Sequence, residues 1–239
     1  MESQLLTALQ SEMESGMYNC VHDIQQCEYE GISNIMSNIK CQNGIWECNQ
    51  LNLGPPHAHN ISVYDISKPC IGDKCVDLSN VDTFLNLNST KEALNVPTKQ
   101  DWVMCSDEVS LQFQMEKGKS VAPFVSEALD HNIPVLIYAG DLDYICNYLG
   151  VKSVALNLDW GHKAEFNAAE DQTWNENGIA RSSNGLTFLR VFDAGHMVPT
   201  DQPEAALDMI AQFIKGEAFV TVKQHSYVRG SCANCKLGI

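Results

Sequence analysis

The sequence predicts an α/β fold with a parallel sheet, preceded by a disulfide-rich region. Two apolar runs, "IPVLIYAG" at residues 133–140 and "LTFLRVFDAG" at 186–195, each end at a glycine. Their near-continuous hydrophobicity is typical of strands that are covered on both faces. Helical patterns alternate with these runs, which is the order found in α/β proteins with parallel sheets. Ten cysteines, seven of them before residue 120, indicate that disulfides hold the first half.

Helices are predicted before the first strand and after the second. The amphipathic pattern "VAPFVSEALDHN" at residues 121–132 should end at Asn132, shortly before Pro134. Two strands alone make a poor sheet, because strands buried on both faces need neighbours. The sequence does not clearly supply those neighbours.

The helix after the second strand has start and stop signals in "TDQPEAALDMIAQFIKG". Thr200 or Asp201 is placed to cap it, Pro203 suits its first turn, and Gly216 suits its end. Four of its residues fall on one face, as in an amphipathic helix: Leu207, Ile210, Ala211 and Ile214.

The first half reads as helices and loops tied by cysteines. Cys20 and Cys27 are seven positions apart, and so are Cys41 and Cys48. Positions seven apart share a helix face, so two facing helices would pair these residues as nested bridges, Cys20–Cys48 and Cys27–Cys41. Four cysteines allow three connectivities, and the sequence alone does not choose among them. A zinc site is the competing interpretation, disfavoured because thiolate zinc sites usually use closer C-x2–4-C pairs.

The remaining cysteines of this half, and two glycosylation sequons, point to an oxidising compartment. Cys70 and Cys75 are close enough in sequence to close a small loop, whereas Cys105 has no obvious partner. Asn60 and Asn88 each begin an N-x-S/T triplet. Oxidised cysteines together with glycosylation are typical of exported proteins.

Charge excludes two classes of partner. Fifteen basic and thirty acidic residues give a net charge of −15, which argues against nucleic acid because that affinity depends on Lys and Arg. It also disfavours adsorption to anionic membranes, and no run reaches the length of a membrane span. The first residues, "MESQLLTALQSEMESG", have neither the basic start nor the apolar core of a secretory signal. Disulfides and glycosylation require export, yet no export signal is visible. We therefore expect this chain to be part of a longer one.

Titratable side chains follow both predicted strands at the point where each strand ends. Asp141 and Asp143 follow the first strand, and His196 comes directly after Gly195 at the end of the second. Ligands and catalytic groups of open α/β sheets gather at the carboxyl ends of strands. If the strands are neighbours, a carboxylate can accept the Nδ1–H of the imidazole and leave the other ring nitrogen free to take a proton. Turn, capping and solvated loop residues are the plain alternatives, but the order acid then histidine is that of α/β-hydrolases.

At these two segments the chain resembles the serine carboxypeptidases, which are lysosomal, vacuolar and secreted α/β-hydrolases that remove C-terminal residues from peptides. The resemblance lies in "VLIYAGDLDYICNYLG" and in "LRVFDAGHMVPTDQPEAALDMI", and it extends over nearly the whole chain to about residue 220. The cysteine ladder with "VYDISKPCIGDKC" is similar to the cap that the family inserts between sheet strands.

The resemblance implies a role for four residues of the second half. Asp143 would be the acid of a catalytic triad and His196 its base, while Cys146 would be a thiol near the active site. Met197 would line the pocket for the departing residue. The substrate would be the C-terminus of a peptide, in a lysosome, vacuole or secretion, and no metal or organic cofactor would be needed.

The resemblance also implies an architecture. It predicts a partial α/β-hydrolase fold, made of the C-terminal strands and helices, with a disulfide-rich and mainly helical insertion cap. The cap would span residues 1–119, the core 120–222 and a polar tail 223–239. The family's bridges correspond to Cys20–Cys48, Cys27–Cys41 and Cys70–Cys75.

One element of the family is missing from the sequence. The family's nucleophile lies in a G-x-S-x-G pattern upstream of the cap, and that pattern is absent from these 239 residues. The oxyanion hole, the groups that grip the substrate carboxylate and the expected partner of Cys105 also lie upstream in the family. We therefore expect the C-terminal portion of such an enzyme, inactive alone because it carries the acid and the histidine without the serine.

Two alternatives stay open. The first is a truncated or degenerate protein that binds peptides or a partner without catalysis. The second is one chain of a two-chain enzyme, bridged to a missing N-terminal chain through Cys105. In the complete enzyme, acyl transfer is a family-level alternative to hydrolysis.

Two weaker features carry no assigned function. His57 and His59 have metal-like spacing, but they offer only two ligands in a proline-rich loop, so no metal site is predicted. The "CANC" segment at residues 232–235 resembles a redox C-x-x-C but lies on a polar tail, where a local disulfide or unpaired thiols are favoured.

Overall fold

A computed structural model describes residues 20–27, 35–72, 75–113 and 118–220. The proposed tail from 223 onward, with Cys232 and Cys235, lies outside these residues. No helix within the described ranges is both long enough and apolar enough to cross a membrane.

The first half is helical and its helices are tied by disulfides. A 3₁₀ helix, Gln25–Cys27, packs against α1, Ile35–Ala58. The bridges Cys20–Cys48 and Cys27–Cys41 join residues 20–27 to α1 as a nested pair, and Cys70–Cys75 closes a loop beyond α1. These are the three bridges that the family resemblance implies. Three short helices follow: α2 Ser79–Leu85, α3 Asn88–Ala93 and α4 Asp107–Gln112.

The second half is a sheet with helices on both faces. It begins with α5, Ala122–Asp130, and continues in chain order with these elements: β1 Val135–Gly140, α6 Tyr148–Asn157, α7 Lys163–Ala168, β2 Gln172–Trp174, β3 Gly178–Ser183, β4 Leu186–Val191, α8 Val198–Asp201 and α9 Pro203–Lys215. The sheet order is β1-β4-β3-β2. β1 pairs parallel with β4, from Val135 opposite Leu186 to Gly140 opposite Val191. The predicted helix, both predicted strands and their parallel arrangement are therefore confirmed.

β2 and β3 are the neighbours that sequence reasoning did not find. β3 pairs antiparallel with both β2 and β4. The connection from β3 to β4 is two residues long, Asn184 and Gly185, and both have positive φ, 47° and 89°. Asn-Gly between two strands is the strongest short-range signal of a tight hairpin, so "SSNGLT" was the clue that identifies β3.

Two clusters of buried side chains lie on opposite faces of the sheet. One joins α8, α9 and Phe219 to the strands, with Trp174, Leu189, Val191 and Met209 among its members. The other joins α5, α6 and α7 to the strands, with Leu129, Leu158, Phe166 and Phe188 among its members. β4 is buried along nearly its whole length, as predicted. β1 is not, because it has one partner strand among the described residues and Tyr138 is partly exposed.

The last helix confirms some signals and corrects others. Pro203 is its first residue and Gly216 ends it in the left-handed conformation, with φ 68°. The predicted caps Thr200 and Asp201 are wrong, because they belong to α8 and the cap residue is Gln202, without a side-chain cap bond.

The predicted apolar face of α9 is also not its packing face. The residues of α9 that are buried against the sheet are Ala205, Ala206 and Met209. Leu207, Ile210 and Ile214 are exposed.

Candidate active site

The parallel pairing of β1 and β4 brings the two predicted catalytic segments to one edge of the sheet. Gly140 and Val191 end their strands opposite each other, and the chain then enters the 141–147 loop on one side and the 192–197 loop on the other. The amide of Leu142 donates to the carbonyl of Ala194 at 2.9 Å, which links the two loops directly.

Asp143 and His196 form a hydrogen-bonded pair across this edge. Oδ2 of Asp143 lies 3.0 Å from Nδ1 of His196. The carboxylate side chain is 3% exposed and the imidazole side chain 40% exposed. A buried carboxylate at Nδ1 fixes the ring orientation and the tautomer that carries a proton there. The exposed part of the ring is then available for proton transfer to another molecule.

The second oxygen of Asp143 is also in use. Oδ1 accepts a hydrogen bond from the amide of Cys146 at 3.1 Å. The carboxylate is therefore held from both oxygens, which keeps it aimed at the ring.

Two glycines allow the loops to approach this closely. A Cβ at Gly140 would lie 2.1 Å from the carbonyl oxygen of Ala194, and one at Gly195 would lie 2.4 Å from that of Tyr64. Neither position has room for a side chain. The two glycines that ended the predicted strands are thus required by the packing of the site.

Asp141 has a different partner from Asp143. Its Oδ2 lies 3.1 Å from Nη2 of Arg190, and that guanidinium stacks over the rings of Tyr148 and Phe192 at 4.2 and 5.2 Å. The ion pair ties the end of β1 to β4 beside the site. Asp141 Oδ1 and Arg190 Nε are buried without a hydrogen-bond partner among the described residues.

Cys146 and Met197 border the pair. Both are exposed, and Cys146 is a free thiol among the described cysteines. Burial of part of the thiol raises its pKa, and the charge of Asp143 raises the pKa further. Ligand atoms of Asp143, Cys146 and His196 all lie within 4.8 Å of one another, so a carboxylate, a thiol and an imidazole converge on one point.

The other predicted site residues lie elsewhere. His57 comes within 4.8 Å of the sulfurs of Cys70 and Cys75, but those sulfurs are bonded to each other and offer no thiolate to a metal. Asn60 and Asn88 are both exposed. Cys105 is exposed and free in the described part of the chain.

Sequence reasoning missed the residues that surround His196 from the first half. The amide of His196 donates to the carbonyl of Tyr64 at 2.7 Å, and the two rings lie 5.4 Å apart. Asp65 and Lys68 follow in the same segment, and Asp201 meets Lys68 from α8. The motif "VYDISK" was the visible signal, but a single sequence does not show what it contacts.

Comparison with known proteins finds several that this chain resembles. Residues 1–216 match the family model described as serine carboxypeptidase. A serine carboxypeptidase-like protein of Oryza sativa is 41% identical over 157 residues, which cover 64% of this chain and 36% of that protein. A vacuolar serine-type carboxypeptidase of Saccharomyces cerevisiae is 36% identical over 194 residues, which cover 75% of this chain and 38% of that protein.

A solved structure shows the same fold. The crystal structure of Kex1(delta)p, a prohormone-processing carboxypeptidase from Saccharomyces cerevisiae, superposes with a TM-score of 0.63 at 19% identity. The match covers 90% of this chain and 54% of that one. The chain therefore spans about half or less of the length of these relatives.

Proposed function

The chain belongs to the serine carboxypeptidase family, and we propose that it supplies the acid and the base of a catalytic triad. The observation that carries this proposal is the 3.0 Å contact between Asp143 Oδ2 and His196 Nδ1 at the tips of two adjacent parallel strands. Asp143 is the acid that orients and stabilises the histidine. His196 is the general base.

The chemistry follows from the order of these contacts. A serine hydroxyl attacks the scissile carbonyl of a peptide as Nε2 of His196 takes the hydroxyl proton. The buried Asp143 carboxylate stabilises the imidazolium that forms. The imidazolium then donates the proton to the leaving amine, which frees the C-terminal residue. Water resolves the acyl-enzyme by the reverse use of the same base.

The serine comes from outside these 239 residues in this proposal. No G-x-S-x-G pattern is present, and the rice relative is almost three times as long as the matched part. Among the described residues, no serine hydroxyl is hydrogen-bonded to His196. Without a serine and its oxyanion donors, the chain by itself lacks hydrolysis, since one oxyanion donor alone contributes about 3 kcal/mol.

Cys146 and Met197 form part of the surface that contacts the peptide substrate. Both are exposed next to the pair, so a peptide terminus that reaches the exposed edge of His196 passes beside them. An acceptor other than water at this surface would make the enzyme an acyltransferase, by the same acyl-enzyme.

The same proposal extends to partner and compartment. Cys105 is exposed and is the position through which a separate N-terminal chain would be bridged. Three disulfides indicate an oxidising compartment, and one of the relatives is vacuolar. We assign the complete protein to a vacuole, a lysosome or the secreted fraction.

The test combines the chain with a complementary partner. The full chain alone, and the chain mixed with the upstream portion of a serine carboxypeptidase relative, are assayed for release of a peptide's C-terminal residue and for labelling by a fluorophosphonate. We expect release of the C-terminal residue and fluorophosphonate labelling only in the mixture. Asp143→Asn should lower kcat by about 10⁴-fold, by leaving the wrong tautomer, and His196→Ala should abolish labelling.

A matched control is His162→Ala, which removes an exposed histidine outside the pair and should change neither activity. Labelling of the isolated chain at one of its own serines would contradict the missing nucleophile. Full activity of the mixture after Asp143→Asn would contradict the assignment of the acid.

A further inference from the structure

Residues 61–70 form a closed loop beside the candidate active site, called here the 61–70 loop. Its ends are joined by an isolated bridge between Ile61 and Pro69 and by a bond from the amide of Cys70 to the carbonyl of Asn60 at 3.1 Å. Within it, the amide and hydroxyl of Ser67 both donate to Oδ1 of Asp65, at 3.0 and 2.5 Å. Asp65 is buried, so the loop has a fixed shape.

The 61–70 loop holds the segment that carries Asp143. The amide of Ile66 donates to the carbonyl of Leu142 at 2.9 Å. The amides of Tyr144 and Ile145 both donate to the carbonyl of Val63, at 3.2 and 3.0 Å. Asp143 therefore lies between two residues that are bonded to this loop.

The same loop holds the segment that carries His196. The carbonyl of Tyr64 accepts from the amide of His196 at 2.7 Å. A Cβ at Gly195 would lie 2.9 Å from Cβ of Asp65. The backbone of both members of the pair is thus set by one neighbouring loop.

Lys68 closes a charged network that ends at the backbone next to His196. Its Nζ lies 2.7 Å from Oδ2 of Asp65 and 3.0 Å from Oδ1 of Asp201. Oδ2 of Asp201 accepts from the amide of Gly195 at 2.9 Å. Each carboxylate therefore connects the ammonium to a backbone amide, one in the loop and one directly before His196.

The charges in this network are well defined. Hydrogen bonds to Asp65 and Asp201 raise the pKa of Lys68, so that the ammonium stays charged at physiological pH. Burial raises the pKa of Asp65, but bonds from Lys68 and Ser67 outweigh it, and the pKa lies below its ordinary value. Two carboxylates share one cation, and without that cation they would repel each other.

We propose that Lys68 is a positioning residue for the Asp143–His196 pair, acting through Asp201 and the amide of Gly195. This inference rests on the proposed function, since it concerns the placement of the same base. Removal of the ammonium leaves Asp65 and Asp201 in mutual repulsion. Asp201 then turns away from Gly195, and the backbone that fixes the imidazole against Asp143 loosens.

An ordinary surface ion pair would behave differently. The side chain of Lys68 is 59% exposed, and single exposed pairs contribute little to global stability. The distinguishing feature is the directed bond from Asp201 to Gly195. We therefore expect loss of the Lys68 ammonium to change the Asp143–His196 contact locally, with little change in the unfolding transition.

The experiment is NMR on the full ¹⁵N-labelled chain, which needs no nucleophile. The Nδ1–H of a protonated histidine bonded to a buried carboxylate gives a strongly downfield proton resonance, and Asp143→Asn identifies it by removing it. Lys68→Met should abolish or broaden this resonance and speed hydrogen exchange of the Gly195 amide by about tenfold. Lys68→Arg keeps the positive charge, so it should retain the downfield resonance and the slow exchange of the Gly195 amide.

Two further variants keep the test sharp. Lys215→Met removes a lysine that is 64% exposed on α9, and it should leave both readouts unchanged. Asp201→Ala removes the acceptor of the Gly195 amide, and it should reproduce the effect of Lys68→Met. If Lys68→Met alters the unfolding transition, the variant at Asp201 decides whether the positioning role holds.

Each outcome is informative. If the downfield resonance is present and neither Lys68→Met nor Asp201→Ala changes it, the positioning role is overturned and the proposed catalytic pair stands. If the resonance is absent from the unmodified chain, the Asp143–His196 pair itself is contradicted, and this inference falls with it.

Discussion

Asp141 and Asp143 are close in sequence, but their carboxylates have different partners. The first faces the guanidinium of Arg190 under two aromatic rings, so its charge is neutralised within the sheet. The second faces the imidazole of His196, with Oδ2 3.0 Å from Nδ1. A carboxylate with a permanent cation has a structural role, whereas one paired with an imidazole can support a change of protonation.

Cys146 provides a prediction about reactivity at this scale. Because burial, and then the charge of Asp143, raises the pKa of its thiol, and because the thiolate is the reactive form, alkylation by iodoacetamide should be slow at neutral pH. The rate should have a midpoint pH above that of a simple thiol. Asp143→Asn should lower the midpoint part of the way, since burial remains. Mass spectrometry of the peptide containing Cys146 follows the reaction.

The control for this prediction is Asp193→Asn, which removes an exposed carboxylate from the 192–197 loop. It should leave the midpoint unchanged. Fast alkylation of the unmodified chain at neutral pH would show that the thiol is activated and would contradict the expectation.

The pairing of Asp143 with His196 was predictable because strand order and chain order both constrain it. Two apolar runs that end at Gly140 and Gly195 place the following residues at one edge, provided that the strands are adjacent and parallel. The partner of Asp141 was not predictable in this way. Arg190 lies inside the second strand, and its side-chain direction depends on register, which the sequence does not reveal.

At the scale of elements, α9 separates amphipathic pattern from actual packing. Leu207, Ile210 and Ile214 are exposed, whereas the helix packs with Ala205, Ala206 and Met209, and Phe213 is partly buried against the same cluster. Small residues on a packing face let a helix lie close to the sheet, and one long flexible side chain then fills the remaining gap. A periodicity argument gives weight to Leu and Ile over Ala, and here that weight selects the wrong face.

Alanine substitutions along α9 test this assignment. Met209 is fully buried among Leu189, Val191 and Ala194, so Met209→Ala should lower the free energy of unfolding by about 2–5 kcal/mol through lost contacts and a cavity. Leu207→Ala, in the same helix, should change it by less than about 0.5 kcal/mol. Urea denaturation at one pH measures both. Equal losses would mean that the outward face is covered in solution.

The missed strands have a physical explanation as well. β2 is three residues long and β3 reads "GIARSS", which is too polar to stand out from loop sequence. They form because β4 offers a long buried edge and because Asn184 and Gly185 turn the chain back on itself. The turn signal was visible, but hydrophobicity was the wrong property with which to find the strand.

At the scale of the molecule, several large apolar side chains are exposed among the described residues, although the chain has its own core. Leu207, Ile210 and Ile214 lie exposed on one face of α9, and β1 is an edge strand within the described sheet. Exposed apolar groups of this kind mark interaction surfaces. This is consistent with a chain that spans 38% of its yeast vacuolar relative.

Dye binding tests whether this surface is open in solution. The full chain should enhance the fluorescence of a hydrophobic dye such as ANS, and the double variant Leu207→Glu with Ile214→Glu should reduce that enhancement without lowering the unfolding midpoint, because both side chains are exposed. Lys215→Glu makes the same change of two charge units on the same helix and should reduce it much less. No dye binding by the unmodified chain would show that the surface is covered.

The fold class was predictable from the sequence, but the long-range contacts that complete the architecture were not. Alternating apolar runs and helices gave an α/β fold, and spacing of cysteines in the first half suggested paired helices, which the bridges to α1 display. The contact of the 61–70 loop with the segments that carry Asp143 and His196 could not be predicted from sequence patterns. It joins positions more than 130 residues apart, as between Lys68 and Asp201, and no local periodicity encodes such a distance.

The two-residue turn at Asn184 and Gly185 has a consequence for the order in which the pair is assembled. β2, β3 and β4 are consecutive along the chain, and short loops connect them as they pair. β1 and β4 are paired although about fifty residues separate their partners in the sequence. Short-range contacts form before long-range ones. We therefore expect β4, the strand that precedes His196, to pair with β3 before it pairs with β1, the strand that precedes Asp143, so that the Asp143–His196 contact forms late in folding.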